Sequence, residues 1–278
     1  MSDGGAAGWV EVGDRVFVRR YAFFDQSIGA VVGPSGVTIV DTRSTEVQGR
    51  EILDDLRRLT PLPVAAVIDT HHHYDHTFGN RVFRPAPIWG HVRCRERLLT
   101  EAETARTAAI AEVPELRPAL EAVVVDPPER VFEETAVIDA GGRRVEARFL
   151  GRGHTDDDVV VLVPDVGVLF AGDLLENDAV PYFGDAYPLD WPETVSRLLE
   201  LVRAAVVPGH GRPADRVFVE DQLAGFLAVA ELGRRVQRGQ LTREEAVASG
   251  PYEAFRAGAS GPPIARALAQ LRGELDRP

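Results

Sequence analysis

At 278 residues, with 45% apolar and 27% charged side chains, the chain can bury a substantial core as one large domain or two small ones. Its 31 basic residues are all arginine, which excludes a Walker A lysine, a Schiff-base lysine and a Ser-x-x-Lys nucleophile together. Cys94 is the single cysteine, which excludes an internal disulfide and a multi-thiolate metal site, and the net charge of −12 opposes nucleic acid and anionic membranes. The first residues lack a basic and then apolar leader, and no apolar run approaches the roughly 20 residues of a membrane span. A cytoplasmic protein with no membrane partner is therefore expected.

In chain order, Val16 to Arg20, Ile28 to Val32 and Val37 to Asp41 read as three short strands parted by turn signals at Asp25 and in Gly33-Pro34-Ser35-Gly36. Thr45 is a candidate N-cap for a helix over Glu46 to Leu59, whose buried stripe is Ile52, Leu53, Leu56 and Leu59. Pro61 and Pro63 end it, and the apolar run Val64 to Ile68 reads as a strand buried on both faces. Strand, helix, strand is a crossover unit that predicts a sheet covered by helices.

That strand delivers the packet His71-x-His73-x-Asp75-His76. Imidazole nitrogen and carboxylate oxygen form a ligand set that divalent zinc accepts. In an extended or turning backbone His71 and His73 can face one position while Asp75 and His76 face its neighbour, so the stretch can supply two adjacent metal sites, with His72 turned away. Two carboxylates at strand ends, Asp41 and Asp69, are candidates to orient ligating imidazoles by accepting their free N–H, or else to serve as turn residues or caps.

Beyond the packet, Ile88 to His91 reads as a strand, Arg93 to Glu112 as a helix, and Pro114 to Val125 as a second helix running into a strand or loop. His91 reads as structural. A β-rich second half follows at Ala136 to Asp139, Arg143 to Leu150, Val159 to Val163 and Val168 to Ala171. His154, Asp173 and His210 each follow an apolar run and a glycine, and glycine permits close backbone approach. Residues 101–200 carry 22 acids against 8 arginines, a local net charge of 8 − 22 = −14. After His210 the chain reads as helices over Asp215 to Arg238, Thr242 to Ala248 and Ile264 to Asp276. The division expected is a catalytic domain over residues 1–214 and a C-terminal helical extension over 215–278, packed on the same domain and offering a homodimer surface.

His71-x-His73-x-Asp75-His76, Gly153-His154-Thr155, Gly172-Asp173 and Gly209-His210, in that order, resemble the metallo-β-lactamase-fold hydrolase superfamily. The resemblance covers roughly Val16 to His210 and implies an α/β fold, a four-layer αββα sandwich of two mixed β-sheets with outer helices. It implies that His71, His73 and His154 hold one metal, that Asp75, His76 and His210 hold the other, and that Asp173 bridges them. It also implies two zinc ions as cofactors, with iron or manganese as other candidates, and a hydroxide between them that attacks a small ester, thioester or lactone; Asp75 and Asp173 would be the catalytic carboxylates. Asp173 stands where one secreted β-lactamase group has cysteine and another serine, which points to the glyoxalase II and lactonase branch. His73 stands where oxygen-reducing di-iron relatives have a carboxylate. Asp156-Asp157-Asp158 is more acidic than the family's usual sequence there and reads as a solvated loop.

The runner-up is a β-lactam hydrolase; a mononuclear iron persulfide dioxygenase and a non-catalytic metal-binding protein are further alternatives. Tyr182, Phe183, Tyr187 and Trp191, in the loop after Asp173, are candidates to bind substrate, or else to pack the loop onto the sheets.

Overall fold

A computed structural model describes residues 8–139, 141–256 and 261–275. The first half comprises β1 (Val10–Gly13), β2 (Val16–Tyr21), β3 (Gln26–Val32), β4 (Val37–Val40), α1 (Glu46–Leu59), β5 (Val64–Ile68), α2 (Tyr74–Thr77), β6 (Ile88–His91), α3 (Val92–Glu112), α4 (Arg117–Glu121) and β7 (Arg130–Phe132). The second comprises β8 (Thr135–Asp139), β9 (Arg144–Phe149), β10 (Val159–Val163), β11 (Val168–Glu176), α5 (Trp191–Leu201), β12 (Val206–His210), α6 (Arg216–Gln237), α7 (Arg243–Ala248), α8 (Glu253–Arg256) and α9 (Pro262–Leu271).

Two mixed leaves form, as the motifs imply. In the first, β4 to β7 run parallel and β1 to β4 antiparallel. The second pairs β11 with β12 in parallel and β8 to β11 antiparallel. The leaves are hydrogen bonded into one path, β7-β6-β5-β4-β3-β12-β11-β10-β9-β8, through the pair His210 and Gln26. Three apolar clusters explain the layers. Val18, Val31 and Ile68 of the first leaf meet Val145, Val161 and Phe170 of the second. The other face of the first leaf packs Ile39 and Val67 on Ile52 and Leu56 of α1, and that of the second packs Leu169 and Val206 on Trp191 of α5 and Phe226 of α6. The order is helix, sheet, sheet, helix. Each fully buried Val, Leu or Ile contributes about 1.5–3 kcal/mol, which is why both leaves are covered on two faces.

The side chain of Thr45 caps α1 by accepting from the Gln48 N–H, as the sequence predicts. Several boundaries differ from the expectation. Strand β11 runs on to Glu176, so Asp173 lies inside a strand held by parallel pairing to β12. Over Pro114 to Val125, read as a helix running into a strand or loop, a 3-10 turn at Pro114–Leu116 leads into α4, which ends at Glu121 before a loop. The helix predicted over Ile264 to Asp276 stops at Leu271, before the positive φ of Gly273, and Asp276 lies outside the described residues. Helix α5 was not anticipated, because Trp191 reads as the end of an aromatic loop while Pro192 is a favourable first-turn residue. Among the described residues no helix is long and apolar enough to cross a membrane.

Candidate metal centre

The seven predicted ligands come to one edge of the two leaves. β5 ends at Ile68, and the chain runs through His71 to α2, whose first turn buries Asp75 and His76. His154 comes from the β9–β10 connection, Asp173 from β11 and His210 from the end of β12. Glycine is required beside two of these: a Cβ on Gly209 would lie 1.9 Å from Asp173 Oδ1, and Gly172 has a positive φ of 53°.

The seven fall into two groups, His71, His73, His154 and Asp173, and Asp75, His76 and His210, and a third group, His72, His73 and Asp185, adjoins the first; the ligand-type atoms within each lie within 4.8 Å of one another. Asp173 belongs to both by distance. Its Oδ2 lies 3.8 and 3.6 Å from Nε2 of His71 and His154, and 3.4 and 3.2 Å from Nε2 of His76 and His210. Asp75 Oδ2 is 3.5 Å from His76 Nε2 and 3.4 Å from His210 Nε2.

The outward nitrogens fix the tautomers. His76 Nδ1–H donates to Asp41 Oδ2 at 2.9 Å, His210 Nδ1–H to the Phe24 carbonyl at 2.6 Å, and His73 Nε2–H to Asp185 Oδ2 at 3.0 Å. The Thr70 hydroxyl donates to Asp41 Oδ2 at 2.9 Å, so at 3.1 Å it accepts from His71 Nδ1–H. When neutral, each of these four rings therefore points a lone pair inward. Those nitrogens crowd: His73 Nδ1 is 3.0 Å from His71 Nε2 and 2.9 Å from His154 Nε2, and His76 and His210 Nε2 are 3.3 Å apart. Lone pairs at such separations repel unless protons or a cation lie between them. Asp173 Oδ1 and His154 Nδ1 are buried without a hydrogen-bond partner among the described residues. Divalent cations fit this donor set.

Electrostatics agree with that fit. Burial disfavours the charged form of Asp173 and Asp75, yet His210 and His76 beside them hold both carboxyls well below their usual range. Burial likewise opposes protonation of His76 and His210, but Asp173 and Asp75 outweigh it and hold both well above a usual imidazole. His73 is raised to about 9 by Asp185 against burial, whereas burial lowers His154 to about 4.

Of the two carboxylates predicted to orient imidazoles, Asp41 does so twice, directly on His76 and through Thr70 on His71, and its Oδ1 also accepts the Thr70 N–H at 2.8 Å. It sits at φ 64°, where asparagine is tolerated. Asp41→Asn keeps the shape but places an amide NH₂ against donors, so metal affinity or activity should fall roughly 10- to 100-fold with the fold retained. Metal titration and circular dichroism check this; unchanged affinity would leave Asp41 a turn residue only. Asp69 is a correction, since its Oδ2 accepts from Asn80 Nδ2 at 2.8 Å and no imidazole bonds it.

His72 stays outside the seven-residue cluster, with Nδ1 2.9 Å from Asp157 Oδ1, but it does not turn away from the site: its ring lines the cavity and Nε2 is 3.8 Å from Asp185 Oδ2. The Asp156-Asp157-Asp158 loop is not solvated: Asp157 and Asp158 are buried, each with a carboxyl oxygen within hydrogen-bond distance of the Thr155 hydroxyl oxygen, and Asp158 also accepts from the Thr155 N–H, while Asp156 pairs with Arg97. His91 is structural as predicted, stacked on Phe149 at 4.4 Å and accepting the Arg93 N–H at the start of α3. The four loop aromatics divide. Tyr182 is 57% exposed and lines the cavity over the centre. Trp191 and Phe183 are buried against Phe226, and Tyr187 is buried under Arg152, so these three pack the loop down.

Sequence reasoning missed Asp185, Gln26, Arg43 and Glu176. Asp185 lies within the loop flagged for its aromatics and bonds His73. Gln26 Nε2 donates to the Asp75 carbonyl at 2.6 Å, and Arg43 Nε donates to Gln26 Oε1 at 3.3 Å, so the pair supports α2 from beneath. Glu176 lines the cavity near Asp173, and burial pushes its carboxyl up to about 8. None carries a local motif: Gln26, Arg43 and Asp185 act through contacts distant in sequence, and Glu176 lies in the part of β11 beyond the predicted strand end.

A cavity of about 660 Å³ opens over both groups, floored by Asp75, His73, His154, Asp173 and His210.

Comparison with known proteins points the same way. The family model described as Metallo-beta-lactamase superfamily matches residues 22–210. The chain is 28% identical over 185 residues to the metallo-beta-lactamase IND-1 of Chryseobacterium indologenes, covering 65% of this chain and 69% of that protein. It is 23% identical over 230 residues to a linear primary-alkylsulfatase of a Pseudomonas species, covering 69% of this chain but 43% of that one. A solved double mutant of the sec-alkyl sulfatase PisA1 superposes with a TM-score of 0.74 at 17% identity, over 96% of this chain and 50% of that chain.

Proposed function

The chain belongs to the metallo-beta-lactamase superfamily, and from that premise we propose that it is a hydrolase of small esters, thioesters or lactones working with two divalent ions, zinc first. The observation that carries this reading is the position of Asp173 Oδ2, 3.2–3.8 Å from imidazole nitrogens of both groups. His71, His73 and His154 would hold one ion, Asp75, His76 and His210 the other, and Asp173 would touch both. Held by these residues, divalent ions would supply a water of pKa lowered to about 7 and would polarise the bond to be cut.

The chain's own residues bind and orient. Asp41, Thr70, Asp185 and the Phe24 carbonyl hold four imidazoles so that their inward nitrogens need no rearrangement. Asp75, held through Gln26 and ionised over the working pH range, is too weak a base to remove a proton from free water, and its part is to bind and orient at the cavity floor. Tyr182 and α3 wall the cavity. Glu101 and Glu112 on that wall oppose a polyanion, so nucleic acid is not the expected substrate.

A β-lactam is the second reading, favoured by the likeness to IND-1. The aspartate at 173 tells against it in favour of the glyoxalase II and lactonase branch. The test is elemental mass spectrometry of protein purified without added zinc, together with turnover of an ester, a thioester, a lactone, a β-lactam, an alkyl sulfate and RNA. Close to two metals per chain and acyl turnover that vanishes in Asp75→Ala are expected. A stoichiometry held at one under zinc excess would sink the two-ion reading, and RNA cleavage lost in the same variant would overturn the substrate class.

A further inference from the structure

One wall of the cavity is a single face of α3. From Arg97 to Glu112 the helix advances 15 residues, roughly 22 Å at about 1.5 Å each, and its lining positions recur every three or four residues. The middle of that face is paved with Ala102, Ala105, Ala108 and Ala109 beside Leu98. Alanine is the smallest side chain that keeps a strong helix, so these positions leave a trough instead of filling it. Leu98, Ala102 and Ala109 are buried in one apolar cluster with Phe78 and Leu120. Phe24, Ala179 and Tyr182 face it from across the cavity.

Charges confine the trough without offering a counter-ion. Arg97, the lining arginine, is already paired with Asp156 and Glu101, and Glu112 accepts from the Tyr74 hydroxyl. A negatively charged tail would meet Glu101 and Glu112, and among the described lining residues no unpaired arginine offsets them. One end of the trough opens on the floor of His73, Asp75 and Asp173. A ligand reaching from that floor along the helix must be long, narrow and apolar, because a compact bicyclic molecule would leave the far alanines uncovered.

We propose that the substrate carries an unbranched neutral alkyl or acyl chain that lies along the alanine face of α3, with Ala105 and Ala108 setting how long a chain is accepted. This rests on the hydrolase reading above and names its substrate class. A cavity of about 660 Å³ has the size of sites that bury most of a drug-sized ligand.

The test measures kcat and KM of the zinc-loaded protein for linear 4-nitrophenyl esters from acetyl to decanoyl. KM should fall by roughly two- to fourfold per added methylene until the trough is full. Ala108 is exposed on the trough, so Ala108→Phe fills it without disturbing the core. This variant should raise KM for the octanoyl ester at least tenfold and leave acetyl turnover unchanged. Ala111→Phe, an exposed position of the same helix outside the cavity lining, should change neither. Calorimetric binding of unreactive linear alcohols, butanol to decanol, should show the same chain-length order in the wild type and lose it in Ala108→Phe. A KM indifferent to chain length, or one that Ala108→Phe leaves as it was, overturns the trough while acetyl turnover keeps the hydrolase reading. If no ester turns over but the alcohols keep their order and lose it in Ala108→Phe, the trough stands and the hydrolase reading falls; alcohols that bind without order overturn the trough.

Discussion

Replacing Asp173 by serine should lower turnover by roughly 10²- to 10³-fold, the range lost when one preorganised charge is removed from a reacting centre, and should leave fewer than two metals bound. Serine removes the oxygen that lies near four imidazole nitrogens, so both groups lose a donor at once. The metal-free protein gives a second readout. There Asp173 neutralises His76 and His210, whose pKa values it holds well above normal despite burial. Removing one partner of such a buried pair costs about 3–5 kcal/mol. A raised histidine pKa contributes stability that is fully present below about 6.5 and declines as pH rises toward the folded-state value. The depressed carboxyl of Asp173 contributes only above about 4 and loses its part as pH falls. The metal-free variant should therefore be most destabilised between about pH 4 and 6.5 and approach the wild type at higher pH. Thermal melts of both proteins across that range decide it, and a difference that widens above pH 7 would contradict the pairing.

Removing the metals should have the other large effect. Chelation to below one-tenth metal per chain is expected to abolish turnover, and added zinc to restore it. Zinc at about 100 times Kd stabilises by about 2.7 kcal/mol per site, and with two sites the melting temperature should drop on the order of 10 °C on chelation. Because His73, His76 and His210 have raised proton affinity in the metal-free protein, zinc uptake at pH 7 should release protons, detectable as a buffer-dependent heat. A melt unmoved by chelation would mean that hydrogen bonds alone hold the cluster.

Much of this was legible in the chain itself. The apolar runs at Val64–Ile68 and Val159–Val163 and the capped helix Glu46–Leu59 appear at the expected bounds, because period, length and cap chemistry are local properties. The seven ligand-type residues were identifiable because imidazole and carboxylate cluster densely at 71–76 and recur after glycines at strand ends. Boundaries failed where a neighbour decides them: β11 extends past Ala171 because β12 pairs alongside it as far as Glu176.

Residue type and spacing by themselves determined the absence of lysine and disulfide chemistry and picked out seven ligand-type residues, while the layer architecture followed from the resemblance of those motifs to the metallo-β-lactamase fold. Only the tertiary structure decided which partner each side chain meets. It gave Asp69 to Asn80 and Asp41 to two imidazoles, brought Asp185 across 112 residues to His73, buried Phe183, Tyr187 and Trp191 while leaving Tyr182 on the cavity, and turned four alanines of α3 toward the metal-binding edge. Those outcomes depend on how the leaves and helices pack against one another, and contacts between residues tens of positions apart leave no period or motif in a single sequence.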